Sequence, residues 1–468
     1  MKKVLAMLLV LILAGFTVFA GGSQEKTSAA VPTAPVEKRV VPGDPVYIAK
    51  NASEITGTVR FWTAFGDALG TGQMVKDFNT YYPNIKVIVN VYPNNTEGNL
   101  TCDTALMAGE IDALLSFGTF NSAARWENGL LLNITDKLYH DNLDLVKEWG
   151  SDAYVDANDQ VFVIPSGGLS VFVGVNMTKW NEAGLGPIPD SWTWDEYAEA
   201  SRKLTQRDAQ GNTIVYGGSD FNQRDYWTYA LRQTKGVDAL YNADGLSDFD
   251  NPLCATILQR LINCADEGIW YNKNKLITDG IKTRDLMWNE QAATGVESIM
   301  TRFVMDTNKY PHDFILGYAP YPVNNAGETN YALGNMPNSF FCVAANAQNS
   351  DAAYEFIKFA STYGGKYLYK AGHTTTWTHT NPDEIVDLVF GSKEEAAKWV
   401  DVDSYIKNVL AVGQPAYHEE YIVAYAEVQS LLDEYTTYIL GKQLPVKEGL
   451  AELKELADEA IQEKLAER

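Results

Sequence analysis

The sequence predicts a mixed α/β chain folded as two lobes that exchange strands. Three observations carry this. Thr58–Trp62 reads as a strand, a loop runs from Phe65 to Gly72, a helix reaches about Asn79, and Ile85, Val87, Val89 and Val91 alternate at strand period. That β-loop-α-β order implies a parallel sheet with the loop at the carboxyl end of its first strand, where α/β folds bind ligands. Second, the stretch from Asp159 to Thr178 reads as two apolar strands broken by Pro165-Ser166-Gly167-Gly168. Pro165 cannot donate to a ladder and the glycines admit unusual backbone angles, so the chain can leave one sheet there and enter another. Third, 468 residues at 46% hydrophobic supply apolar volume for two cores.

Met1–Ala20 has the make-up of a secretion signal. Lys2 and Lys3 precede the apolar run Val4–Phe16, and Val18-Phe19-Ala20 offers small residues for cleavage before Gly21. The run is short for a membrane span, and no cysteine follows it to carry a lipid. The expectation is an exported, periplasmic or extracellular protein without a lipid anchor. Residues 21–55, rich in Ala, Pro, Ser, Glu and Lys, read as a disordered spacer. A net charge of −23 argues against nucleic acid and anionic membranes as partners.

Past Val91, a helix around Thr101–Met107 leads to a strand over Ile111–Phe117. After Asn176 comes a loop with Gly184, Gly186, Pro187 and Pro189. Thr193 and Glu196 then have capping-box spacing and start a helix running to about Leu204. Thr213–Gly218 reads as a strand, and Phe221–Thr234 has helical spacing. Asn242–Pro252 forms a turn into a helix running to Glu267-Gly268-Ile269. It is not a calcium loop, because a glycine at position six would place Leu240 at the first ligand position. Ala353, Phe356, Ile357 and Ala360 mark the buried face of a helix after Ser350, and a last helix follows Pro445. A further crossing between lobes falls at Ala371–Thr380. Cys254 and Cys264 share a helix about 15 Å apart, too far to bridge. A bond from Cys102 to Cys342 or to a helix cysteine is open; four buried thiols is the favoured reading.

Several of these segments, in order, resemble the bacterial extracellular solute-binding proteins of the sugar type that serve ABC transporters. The residues are Gln160–Pro165, Val175-Asn176, Ala183-Gly184-Leu185, Pro189 and Trp192-Thr193-Trp194-Asp195-Glu196. Ala108–Asp112 fits the family's turn except for a missing proline, and Arg125–Leu132, Asn242–Pro252, Gly317–Val323 and Phe340–Ala345 follow its pattern. Met287–Arg302 fits in part, with Met300 or Thr301 where the family often carries an aromatic. The resemblance implies a periplasmic binding protein-like type II fold: two α/β lobes, a hinge and a ligand cleft between them. It implies lobe one as residues 56–166 plus 337–372 and lobe two as 167–336 plus 373–468. It further implies a monomer that takes a small solute, most commonly a sugar or oligosaccharide, to the permease subunits of an ABC importer, with no enzymatic step and no cofactor. Polyols and glycerol phosphate-like solutes stay open. The alternative is a secreted carbohydrate-active hydrolase using two carboxylates.

Aromatic residues near loops are the main functional signal, because rings cover the C–H faces of sugars. Trp62 and Phe65 end the first strand, Phe117 and Phe120 flank Gly118, and Trp227 and Trp377 lie further along the chain. For each the competing reading is core, most strongly for Trp227 in its helical pattern; Trp377, inside a threonine-rich run, reads as binding. Thr63, Asp67, Thr119, Ser166, Arg224, Arg302 and Asn335 could supply polar contacts. Catalytic and metal patterns are poor. The five histidines form no His-Glu-x-x-His, and Ser404-x-x-Lys407 lies on an amphipathic pattern without companion motifs.

Overall fold

A computed structural model describes residues 43–150, 160–218, 226–278, 280–281, 283–297, 300–334, 336–410, 414–419 and 423–466. The expected secretion signal, and the spacer up to residue 42, lie outside them. The strands, in chain order, are Gly57–Thr63 (β1), Ile85–Val91 (β2), Ala113–Phe117 (β3), Val163–Leu169 (β4), Phe172–Asn176 (β5), Gln206–Arg207 (β6), Thr213–Val215 (β7), Thr294–Glu297 (β8), Leu316–Pro320 (β9), Met336–Val343 (β10) and Thr374–Thr375 (β11).

The first lobe is built on a six-stranded sheet, β11-β4-β10-β3-β1-β2. β1 runs parallel to β2 and β3, as the strand-helix-strand pattern requires, while β10 and β11 run antiparallel to β4. Val59 and Phe61 of β1 pack with Phe78, Phe341 and Phe356 in a core without solvent exposure. The helix Ser350–Ser361 covers that sheet with Ala353, Phe356, Ile357 and Ala360 all buried. The second lobe holds the antiparallel sheet β8-β5-β9. Its helix Trp194–Leu204 starts at the capping box that the sequence predicts, Thr193 and Glu196 each bonding the other's backbone N–H. Its larger core gathers Trp194, Tyr197, Trp227, Ile257, Leu432 and Ile461.

β11, β4 and β10, which lie where the sequence places the crossings between lobes, are neighbours in one sheet. Three differences from expectation appear here. β4 continues past Ser166 to Leu169 instead of breaking at Pro165–Gly168. Pro165 is tolerated opposite Phe340, next to a register irregularity at Ser339. The glycines serve close approach instead: a Cβ on Gly167 would stand 2.3 Å from His373 Nε2 and 2.3 Å from Thr374 O. Second, residues 43–55 are an ordered strap on the first lobe rather than spacer. Val46 N–H donates to Asp141 O at 2.8 Å, Ala49 N–H to the Tyr82 hydroxyl at 2.9 Å, and Ala52 is buried. Third, Trp377 belongs to the first lobe's core. All four cysteines are free and buried.

Candidate functional site

The carboxyl ends of β1 and β3 form a rim beside the crossing strands. Thr63, fully buried, accepts the Phe65 N–H on Oγ1 at 3.1 Å, and Thr71 Oγ1 donates to Phe65 O at 2.6 Å. Both backbone groups of Phe65 are thereby fixed. Its ring meets Phe117 edge-on at 5.3 Å and His373 at 5.3 Å, with Phe117 and His373 at 6.1 Å. Gly118 turns β3 into the helix Thr119–Glu127 at φ +81, a conformation a side chain would strain. That helix carries Thr119, part-buried, and Phe120, which is 45% exposed. Trp62 is half-buried against Tyr92, and Asp67 is exposed at the head of a short turn.

His373 is the residue here that the sequence reading passed over. It follows the left-handed Gly372 and reaches back over the crossings. Its Nε2 lies 2.8 Å from Ser339 Oγ on β10, and Ser339 Oγ donates to Gly167 O on β4 at 3.1 Å. Burial pushes the imidazole down to about 4, so it is neutral near pH 7. The only advance signal was a histidine directly before a threonine-rich crossing.

On the second lobe, beside the start of β10, lies a group that the sequence did not single out as a unit. The Arg232 guanidinium sits 4.7 Å from the Tyr229 ring, 5.4 Å from the Tyr417 ring and 3.7 Å from Glu419. Burial pushes the Glu419 carboxyl up, opposed by Arg232. Arg232 Nε and Glu419 Oε2 are buried with no hydrogen-bond partner. The Tyr417 N–H donates to Tyr331 O and the Gly334 N–H to Pro415 O, which ties this segment to the approach to β10. Arg302 is exposed, 5.8 Å from the Phe303 ring.

Other predicted contacts are not brought to this rim. Trp227 has no solvent exposure and its indole N–H donates to Thr436 Oγ1 at 2.7 Å, which makes it core. Trp377 is also buried: Thr375 Oγ1 accepts its backbone N–H at 3.1 Å, and its indole N–H donates to Glu148 at 3.1 Å. Thr63 is spent on the loop. Ser166 is buried, its hydroxyl without a partner. Arg224 and Asn335 lie outside the described residues. Ser404 Oγ donates to Asp401 O while Lys407 pairs with Asp190, so they do not act on each other. Among the described residues no cluster of metal-ligating side chains occurs, and no helix is long and apolar enough to cross a membrane. The arrangement suits a solute with apolar faces and hydroxyl groups.

The sequence profile of a family described as bacterial extracellular solute-binding protein matches residues 67–367. No curated protein sequence matches the chain. Among solved structures, the chain resembles a sugar transporter protein from Rhizobium etli in an open conformation, at 15% identity and TM-score 0.69, over 87% of this chain and 99% of that one. It resembles an ABC substrate-binding protein from Listeria monocytogenes in complex with cycloalternan, at 19% identity and TM-score 0.68, over 87% and 99%. It also resembles a maltose-bound protein from Thermotoga maritima, at 17% identity and TM-score 0.63, over 85% and 98%. These likenesses establish the two-lobed type II periplasmic binding protein fold.

Proposed function

The chain belongs to the bacterial extracellular solute-binding proteins, and from that premise we propose that it binds a sugar or oligosaccharide in the cleft between its lobes and delivers it to the permease subunits of an ABC importer. It acts as an exported monomer, periplasmic or extracellular. The lobes part at residues 166–171, 336 and 373–375. The observation that carries the solute class is the rim itself: Phe65, Phe117 and Phe120 at the carboxyl ends of β1 and β3, against the three crossing strands. Aromatic faces cover sugar C–H groups, and Trp62, Asp67 and Thr119 stand nearby for further contacts. From the second lobe we assign Arg302, Arg224 and Asn335 as polar contacts. The cycloalternan and maltose complexes of structural relatives agree with this class. Contacts made together only in the closed form favour closure, the hinge behaviour of periplasmic binding proteins.

A thermal-shift screen tests this, with the protein unfolded and refolded to strip co-purified solute. The panel holds neutral mono- and oligosaccharides, polyols, amino acids and sugar phosphates. A saccharide at 100 times its dissociation constant adds about 2.7 kcal/mol of stability. A saccharide hit recovered unchanged is the expected result. A hit that is consumed would move the protein to the hydrolases, and no saccharide hit would remove the sugar.

A further inference from the structure

His373 has one ring nitrogen committed and one not. Ser339 owns a single hydroxyl hydrogen. Its Oγ stands 3.1 Å from the Gly167 carbonyl oxygen and 2.8 Å from His373 Nε2. Were the hydrogen turned to Nε2, two acceptor oxygens would face each other at 3.1 Å with nothing between them. The hydrogen therefore goes to Gly167, and Nε2 must carry the proton that Ser339 accepts. That fixes the neutral imidazole as the Nε2–H tautomer and leaves Nδ1 as a bare lone pair. Nδ1 makes no hydrogen bond among the described residues, and the rings of Phe65 and Phe117 flank the imidazole. The residue is buried, at 9% exposure, where β4 and β10 meet the aromatic rim. Gly167 is needed for this approach, since any side chain there would displace the imidazole.

We propose that Nδ1 of His373 is a specificity-determining acceptor at the base of the cleft, taking a hydroxyl hydrogen of a neutral polyhydroxylated solute and turning away phosphate or carboxylate groups. This rests on reading the cleft as a saccharide site. A lone pair held in a dry aromatic collar repels an anion and has no hydrogen to give it. Burial alone lowers the affinity of this imidazole for a proton, and no charged neighbour contributes to that shift, so the acceptor persists at neutral pH.

Histidine-selective ¹⁵N labelling resolves the five imidazoles and reports each tautomer directly. The expected result for the whole mature chain is an Nε2–H tautomer at His373. Its Nδ1 resonance should move when the pooled neutral saccharides of the screen, maltose and cycloalternan among them, are added, and stay still with sugar phosphates. His373→Gln keeps an amide N–H for Ser339 and removes the ring-nitrogen acceptor, its amide oxygen standing on the carbon that bears that N–H. It should bind the same saccharides about tenfold more weakly, one neutral hydrogen bond's worth. Ser339→Ala releases the tautomer and should weaken binding less. If His373→Gln does not fold, the wild-type resonance and Ser339→Ala still decide. Saccharide binding that leaves Nδ1 unmoved, or an Nδ1–H tautomer, overturns the acceptor role alone. Absence of any saccharide binding to the wild type removes the reading of the cleft, and this role with it.

Discussion

Two aromatic clusters sit on the first lobe and look alike in sequence. One is the rim of Phe65, Phe117 and His373. The other joins Tyr47 of the strap to Tyr363, Trp377 and His379, with ring centroids 5.3 to 6.4 Å apart. Their hydrogen bonding separates them. In the second cluster Glu148 Oε2 accepts the Tyr47 hydroxyl at 2.7 Å and the Trp377 indole N–H at 3.1 Å, so the polar tips of both rings are satisfied internally. At the rim the polar atom left over is on the imidazole. A cluster that closes its own hydrogen bonds is a clasp; one that leaves an acceptor open is suited to a guest.

The sharpest way to break this contrast is Trp377→Ala. It empties a buried site and strips a donor from buried Glu148, so stability should drop by about 3–5 kcal/mol in denaturant titration. The affinity of the folded fraction for saccharide should not change. Lost affinity at full stability would make Trp377 a contact and dissolve the distinction.

Next in size is a pH effect confined to the rim. His373 is held at about 4 against an ordinary 6.5. The unfolded chain therefore binds a proton that the folded chain refuses between those values. Stability from this source is complete above about 6.5 and falls as pH drops towards about 4, by up to about 3 kcal/mol. The groups packed on the imidazole are Phe65, Phe117, Ser339 and Gly167, none of which titrates here. Urea midpoints from pH 7 to 4.5 should fall less steeply in His373→Gln. Equal slopes would mean that the folded protein protonates His373 freely.

The smallest effect concerns Phe120. It is 45% exposed, so Phe120→Ala should leave stability within about 0.5 kcal/mol. Calorimetry should show saccharide affinity about fivefold weaker, about 1 kcal/mol. Unchanged affinity would confine the rim to Phe65 and Phe117.

The fold was readable where local pattern and tertiary role agree. β2, the capping box at Thr193 and Glu196, and the helix Pro252–Glu267 match their sequence signals closely. The strap was not, because its Pro- and Lys-containing composition carries no period. It is held by single contacts such as Val46 to Asp141, between residues far apart in the chain. Of the proposed contacts, Phe65 and Phe117 were legible as residues at or just past a strand end. Trp377 was misjudged because its threonine neighbours suggest a polar surface, whereas Thr374, Thr375 and Thr376 are all buried. His373 escaped notice because its significance depends on Ser339 and Gly167, each on a different crossing strand.

The three proposed crossings, adjacent in one sheet, also have a mechanical meaning. A single connecting strand would act as a swivel, free to twist as well as bend. β11, β4 and β10 lie edge to edge, with neighbouring strands about 4.8 Å apart, and so form a leaf about 10 Å wide. A leaf flexes about the axis across its width and resists torsion. The jaws can then open and shut along nearly one coordinate, which leaves few orientations to be lost when a guest draws them together.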